Sequence, residues 1–505
     1  MQFFRFTTLI PALGVGLSLF QIWAVVFSTL DPLFHRAVFL AWILTFAFLS
    51  RGAGKPSPAD LLLAASSVIC GAYYVLNFER IQNRWPLVDP LTGPDLMVAV
   101  LVVLLVGELT RRSVGWPILL VAAFFSLFLL WGHRLPGTFS HRYFSLSEFL
   151  DSSVFTINGI FGAPLGVAAT YVYLFILFGV LLHRSGGGDF FVDLAKFVAA
   201  RTRGGAAKVA VVSCGLFGML SGSPTSDAIT TGTFTIPLMR KMGYSANSAG
   251  SIVAAAATGG SIMPPVMGSA VFLMAEFTGI PYVEIVIAAC IPALLYYLSI
   301  LLQVHFQALR MELKAAPLAS DLGEVRRNLH FLIPLAVLVW SLLSGNTPTH
   351  AASLAIAATI VVSWLRPETR LGPKKIALAL EEAARASIVV AAATASAGIV
   401  VITIAYSGIG GKITGLLLTF AGQSLLPVLL LTMIVCIILG MGMPVPSAYI
   451  LTAVLIAPTL RSLGLPLLST HLFMVYFAVM SAITPPVAVA AYAVAGLSKG
   501  NPNRI

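Results

Sequence analysis

The sequence predicts an all-α polytopic membrane protein of about 12 crossings, with two re-entrant hairpins and an inverted internal repeat. Three observations carry this. Only 10% of the 505 residues are charged and 58% are hydrophobic, where a soluble chain of this length carries roughly 25% charged residues. Apolar runs reach the roughly 20 residues that cross about 30 Å of hydrocarbon as a helix. Two distant regions also carry the same Gly/Pro punctuation in the same order.

Composition narrows the classes further. A net charge of +11 can mark a nucleic-acid binder, but in so apolar a chain it reads as topogenic charge in cytoplasmic loops. Cys70, Cys214, Cys290 and Cys436 are far apart in apolar stretches and read as buried, reduced thiols. The eight histidines form no cluster and no HExxH, so metal catalysis has no support. The first apolar run is followed by further spans and has no small-residue cleavage pattern, so it is expected to be retained.

In chain order, five spans are predicted at 8–29, 37–50, 60–77, 95–110 and 114–132. A more polar stretch from His133 to Gly159 holds Arg134, His141, Arg142, Glu148 and Asp151. It divides the chain into a membrane domain with a linking helix (1–135), a linker (136–160) and a larger transport domain (161–505). Spans resume at 163–182, 282–303, 329–345, 351–365 and 386–405. The segment Asp189–Arg203 sets Phe190, Phe191, Leu194, Phe197 and Val198 opposite Asp193, Lys196 and Arg201, which predicts a brace lying along the cytoplasmic interface.

Two regions do not read as simple spans. From Ala206 to Met239 two short apolar segments flank SGSP, and from Leu425 to Leu460 two more flank GMPVP. Glycine admits left-handed backbone and proline removes a donor, so a helix stops at each. Each hairpin is followed by an interrupted span: 245–278, broken at GGSIMPP, and 468–497, broken at SAITPP. Pro237, Arg240, Gly243, Pro264 and Pro265 recur as Pro458, Arg461, Gly464, Pro485 and Pro486 at one offset, and Gly218–Met219 recurs as Gly440–Met441 one residue further on. An internal duplication (161–303 and 386–499) is the simplest account. An odd number of crossings separates the copies, so the second is upside down. Charge agrees: Arg201, Arg203, Lys208, Arg240, Lys241, Arg310, Lys314, Lys374 and Lys375 fall on one predicted side, against Lys412 and Arg461 on the other, which puts both termini in the cytoplasm.

Interrupted helices leave backbone groups that lipid cannot satisfy, and paired breaks in inverted repeats point to a transport site near the midplane. The first tip offers Ser221, Gly222, Ser223, Thr225 and Ser226, and its partner break Thr258, Gly259, Gly260 and Ser261. The second tip offers Gly442, Met443, Pro444 and Ser447, and its partner Ser481 and Thr484. The four clusters are expected to converge; the competing reading is that small residues here only let helices pack closely. Asp227, within a turn of the first tip, is a proton carrier or cation ligand, or a carboxylate complementing a half-helix N-terminus. Glu276 is expected at a solvated interface and Glu108 at a span end. Arg240 and Arg461 sit at equivalent hairpin bases, with topogenic or lipid-contacting roles set against substrate capture.

The runs GSPTSDAITTGTFTIPLMRKMGYSANSAG, AAAATGGSIMPPVMGSAVFLMAE, GMGMPVPSAYILTAVLIAPTL and YFAVMSAITPPVAVAAYA resemble the large permease subunit of TRAP transporters. Within that family they are most similar to the TAXI branch with fused small and large subunits, and the resemblance covers about Phe161 to Gly496. It implies an elevator-type ion-transporter architecture in the bacterial or archaeal inner membrane. It implies binding-protein-dependent import of organic anions bearing carboxylates, with a periplasmic TAXI-type binding protein as partner, and no enzymatic activity. It places substrate at Ser223, Thr225, Ser226, Gly260, Ser261, Pro264, Pro444, Val445, Pro446, Ser447, Thr484 and Pro485. Coupling falls to Ser221, Gly222, Asp227, Thr258, Gly259, Gly442, Met443 and Ser481. No cofactor is implied beyond Na⁺ as coupling ion. Pro224 and Asp227 stand where the resemblance implies small or neutral residues, which makes a proton the alternative. A free-standing cation-coupled symporter without a binding protein is the rival, and an intramembrane enzyme a remote one, since no nucleophile–base pair or metal cluster is visible.

Overall fold

The computed structural model describes residues 2–50, 56–313, 322–421 and 424–505; Lys314 lies outside them. These residues form helices joined by short turns, with no strand among them. Ten helices are long and apolar enough to cross a membrane. Several begin where a polar cap meets an apolar run. The Asp31 side chain accepts from the Leu33 and Phe34 amides ahead of Pro32–Leu49. Ser57 with Asp60, Thr92 with Asp95 and Ser145 with Glu148 make reciprocal capping boxes for the Pro58–Leu76, Gly93–Ser113 and Leu146–Val154 helices. Each cap satisfies amides that the first turn leaves unpaired, just before the chain enters its apolar stretch.

The chain divides into two compact units. One holds Met1–Tyr173, Ala377–Leu439 and Pro446–Met474. Its main core joins Phe39, Ile43, Phe46, Val102 and Leu105 from the first spans to Ala384, Ala391, Ala392, Ala395 and Ile399 of the Pro373–Ser407 helix. Small residues let that long helix run close to its neighbours: Gly398 faces the Gly159 carbonyl, where a Cβ would stand 2.2 Å away. Hydroxyls stitch the same packing. Ser18 Oγ donates to Leu380 O (2.6 Å), and the Thr110 and Ser396 hydroxyls pair at 2.7 Å. The polar stretch between the predicted domains contributes a buried ion pair, Arg84–Asp151, whose carboxylate also accepts the Leu87 amide (2.7 Å).

The other unit holds Leu174–Ile376, Gly440–Val445 and Val475–Ile505. Here the Gly205–Ser221 and Pro224–Lys241 helices form the first hairpin, and Ala246–Gly260 packs along both. Ala207, Ala210, Ala249, Val253, Ala256 and Ala257 build the core between them, closed on one side by Val494 of the Val489–Ser498 helix. The second hairpin is also helical, Leu425–Gly440 and Val445–Ser462, and only its tip, Gly440–Val445, belongs to this unit.

Backbone geometry repeats as the sequence does. The Pro264–Pro265 and Pro485–Pro486 bonds are both cis, and left-handed residues follow them at Met267 and Ala488. Gly243 and Gly464 are left-handed at the hairpin bases. Each pair is 221 residues apart. The tips depart from this register. Two residues, Gly222 and Ser223, join the helices of the first hairpin; four, Met441, Gly442, Met443 and Pro444, join those of the second.

Several sequence expectations are corrected. The span predicted at 386–405 begins at Pro373, so Lys374, Lys375 and Arg385 lie on a helix rather than in a loop. An Arg385–Glu381 pair (2.9 Å) supports that early start. A helix not predicted, Ile409–Ala421, follows it at the position equivalent to Gly187–Ala199 in the first copy. The apolar stripe of Gly187–Ala199 is divided: Phe190 and Phe191 are buried, Phe190 against Phe331 (6.0 Å between rings), while Phe197 and Val198 are exposed.

Candidate functional site

The first tip and the first break meet backbone to backbone. A Cβ on Gly218 would lie 2.3 Å from Gly260 Cα, and one on Gly260 would lie 2.4 Å from Gly218 Cα. Only glycine at both positions permits that approach. Gly222, left-handed at φ 58°, sits equally close to Gly268 and the Met267 carbonyl. One side-chain bond crosses the junction: Ser261 Oγ donates to Gly222 O (2.8 Å).

Asp227 is placed directly over this junction. It is 2% exposed, on the first turn of the Pro224–Lys241 helix. Its Oδ1 accepts from Ser221 Oγ, which in turn accepts the Ser223 amide (3.1 Å). Its Oδ2 has no hydrogen-bond partner among the described residues and is aimed at the glycine contact, 3.3 Å from where a Gly218 Cβ would stand. A buried carboxylate oxygen without a donor is costly unless a proton or cation compensates it. The Ser221 hydroxyl on its other oxygen is an oxygen ligand of the kind that suits a small hard cation. The same carboxylate also stands in the first turn of its helix, where negative charge is favoured.

Around this centre, Ser223 and Thr225 are half-buried and Ser221 and Ser226 exposed, while Thr258, Gly259, Gly260 and Ser261 are buried and Pro264 half-buried. Thr258 Oγ1 donates to Ala254 O (2.8 Å), within its own helix. In the second copy Ser481 is buried and donates to Ala478 O (2.6 Å). Thr484 is half-buried and donates to Met480 O (2.9 Å), and Pro485 is exposed. Ile483 of this break packs on the core of the first broken span. Gly442, Met443, Pro444 and Val445 of the second tip belong to the same unit. Pro446 and Ser447 belong to the other, where the Ser447 hydroxyl is buried without a partner among the described residues. Glu276 is exposed. Glu108 pairs with Arg111 and Arg112 at the end of its span, and Arg112 also reaches Asp60.

Three tyrosines that sequence reasoning passed over bond main-chain carbonyls in and just before the first break. Tyr282 OH donates to the Pro265 (3.1 Å) and Val266 carbonyls, Tyr296 OH to Ala255 O (2.8 Å), and Tyr297 OH to Ala256 O (2.7 Å). The Tyr296 ring also lies where a Gly259 Cβ would go. Two come from one turn of Tyr282–Arg310 and the third from its start. Polar tips in an otherwise apolar span were the available signal, since a buried tyrosine hydroxyl needs a partner.

The family described as "Tripartite ATP-independent periplasmic transporter, DctM component" matches residues 101–505. The C4-dicarboxylate TRAP transporter large permease protein DctM of Pseudomonas aeruginosa is 28% identical over 320 residues, covering 62% of this chain and 73% of that protein. The protein of the same description from Vibrio cholerae is 24% identical over 428 residues, covering 80% and 90%. The sialic acid TRAP transporter large permease protein SiaM of Vibrio cholerae is 22% identical over 370 residues, covering 71% and 85%.

Proposed function

The chain belongs to the DctM family of tripartite ATP-independent periplasmic transporters, and on that premise we propose that it is a secondary importer of carboxylate-bearing organic anions. It takes substrate from a periplasmic binding protein and uses a cation gradient for energy. The observation that carries this reading is the Asp227 oxygen aimed, without a donor, at the Gly218–Gly260 junction. A cation or proton there neutralises the carboxylate and ties tip to break, so that the hairpin closes only when the coupling ion is present. Relatives named for C4-dicarboxylates and for sialic acid support an anionic substrate. Half-helix N-termini at the tips suit its carboxylate.

The finer parts of the reading rest on sequence. The motifs resemble the TAXI branch, and the first 135 residues stand where a fused small subunit would. The inverted repeat suits an elevator-type exchange between the two faces of an inner membrane, with both termini cytoplasmic. Na⁺ and H⁺ are both compatible with a single carboxylate among hydroxyls.

Uptake into proteoliposomes, with and without the cognate binding protein, under a Na⁺ gradient or a proton gradient alone, tests the proposal. Uptake that needs the partner and one gradient supports it and names the ion. Equal uptake without any binding protein would overturn it in favour of a free-standing symporter.

A further inference from the structure

We propose that Arg240 and Arg461 are matched positioning residues, each fixing the angle at which its hairpin passes into the adjoining broken span. Arg240 Nη1 donates to Tyr244 O (3.1 Å), and Arg461 Nη1 donates to Leu465 O (2.7 Å). The rest of the turn repeats bond for bond. Gly243 N donates to Arg240 O (3.2 Å) and Gly464 N to Arg461 O (3.0 Å). Tyr244 N donates to Met239 O (3.1 Å) and Leu465 N to Leu460 O (3.3 Å). This is a left-handed glycine cap with one arginine Nη1 bond added across it. Of the hairpin bases, it is Pro237, Arg240 and Gly243 that recur as Pro458, Arg461 and Gly464, while most intervening residues differ.

Topogenic charge does not account for this. On the predicted topology the two bases face opposite sides of the membrane, and a positive-inside role would retain the arginine on one side only. Nor does substrate capture: both residues are exposed at the ends of their helices, and Nη1 of each is bonded to a main-chain carbonyl. In the first copy the base carries a lever. From the first base the Ala246–Gly260 helix runs to the junction at Gly260, about 22 Å for its 15 residues. A tilt of about 5° at the base would move the far end by about 2 Å. The Gly218–Gly260 contact leaves no such slack, since a Cβ there would already stand 2.3 Å from backbone. The tie at the base therefore registers the break against the tip.

Amide hydrogen exchange on the full chain in detergent tests this without any substrate, so its outcome is independent of whether the transport proposal holds; only the naming of tip and break as a site rests on that proposal. Arg240→Ala and Arg240→Lys, compared with Lys241→Ala as a neighbouring loss of charge, are read at residues 219–226 and 256–263. Arg461→Ala and Arg461→Lys are read at 440–447 and 478–485. Exchange at the remote tip and break is expected to rise about fivefold in the alanine variants, the factor given by losing one hydrogen bond's net contribution. The lysine variants keep the charge but lose the planar fork, and a smaller rise is expected; Lys241→Ala should change nothing at the tip. Faster exchange confined to the turns at 240–245 or 461–466, or Lys variants that match the parent at the tips, would overturn the proposal.

Discussion

Substituting alanine for Gly218 inserts a single methyl group where the backbone of another helix already lies. The added Cβ would stand 2.3 Å from Gly260 Cα and 3.1 Å from Gly260 C. An ordinary contact needs roughly 3.5–4.0 Å, so tip and break must part by about 1 Å or more. Neither side can yield by a rotamer change, because both partners are main chain. Overpacking of this kind costs about 1–3 kcal/mol, which corresponds to a loss of about 5- to 150-fold in the docked arrangement. Gly415→Ala is the control: it too lies within a helix, but a Cβ there meets nothing within 4 Å. Its expected effect on stability is nil or slightly favourable. Uptake in proteoliposomes, with half-saturation for the coupling ion measured beside maximal rate, reads the docking directly. Gly218→Ala should need much more ion for the same rate, or fail to transport while still inserting and eluting as a folded protein. Parental ion dependence and parental rate in Gly218→Ala would refute the reasoning, whatever the control shows.

Asp227→Asn keeps the side-chain volume but cannot be compensated by a cation; gradient-driven uptake is expected to fall at least about tenfold, and an unchanged gradient response would remove Asp227 from coupling. Tyr297→Phe deletes one donor to Ala256 O and should cost about 1 kcal/mol, seen as a lower thermal midpoint in detergent with substrate affinity little changed. Asp151→Ala removes the carboxylate from the buried Arg84 guanidinium, which keeps the Asp89 carbonyl (2.8 Å) as an acceptor, and a loss of about 3 kcal/mol is expected. Size-exclusion profiles of the tagged protein should then show little folded material, and a parental melting temperature would contradict the buried-pair account.

The breaks were legible in the sequence because Gly and Pro act locally: SGSP, GGSIMPP, GMPVP and SAITPP stop helices wherever they stand, and the structure ends or interrupts helices at each. Helices whose existence depends on neighbours were not. Ile409–Ala421 carries three glycines and no capping side chain in its sequence, so its propensity is poor, and it forms against the Val445–Ser462 helix, where Thr414 pairs with Thr459 (2.9 Å). Residues 373–385 read as a charged loop because Lys374, Lys375, Glu381, Glu382 and Arg385 hid a helical register that only the Glu381–Arg385 spacing disclosed. At the site, the glycines and Asp227 could be picked out as candidates. The contact between Gly218 and Gly260, and the tyrosine bonds to the Ala255, Ala256, Pro265 and Val266 carbonyls, could not, because they join residues 16 to 42 positions apart.

The unequal tips mean that the two copies no longer share one stiffness. With two soft dihedrals per residue, the Gly222–Ser223 linker has about four, and the Met441–Pro444 linker about seven, Pro444 having lost one. The first tip can thus take few backbone conformations, and the second has nearly twice as many free rotations. On the transport proposal the first tip therefore serves as the fixed gauge, and the second accommodates the cargo.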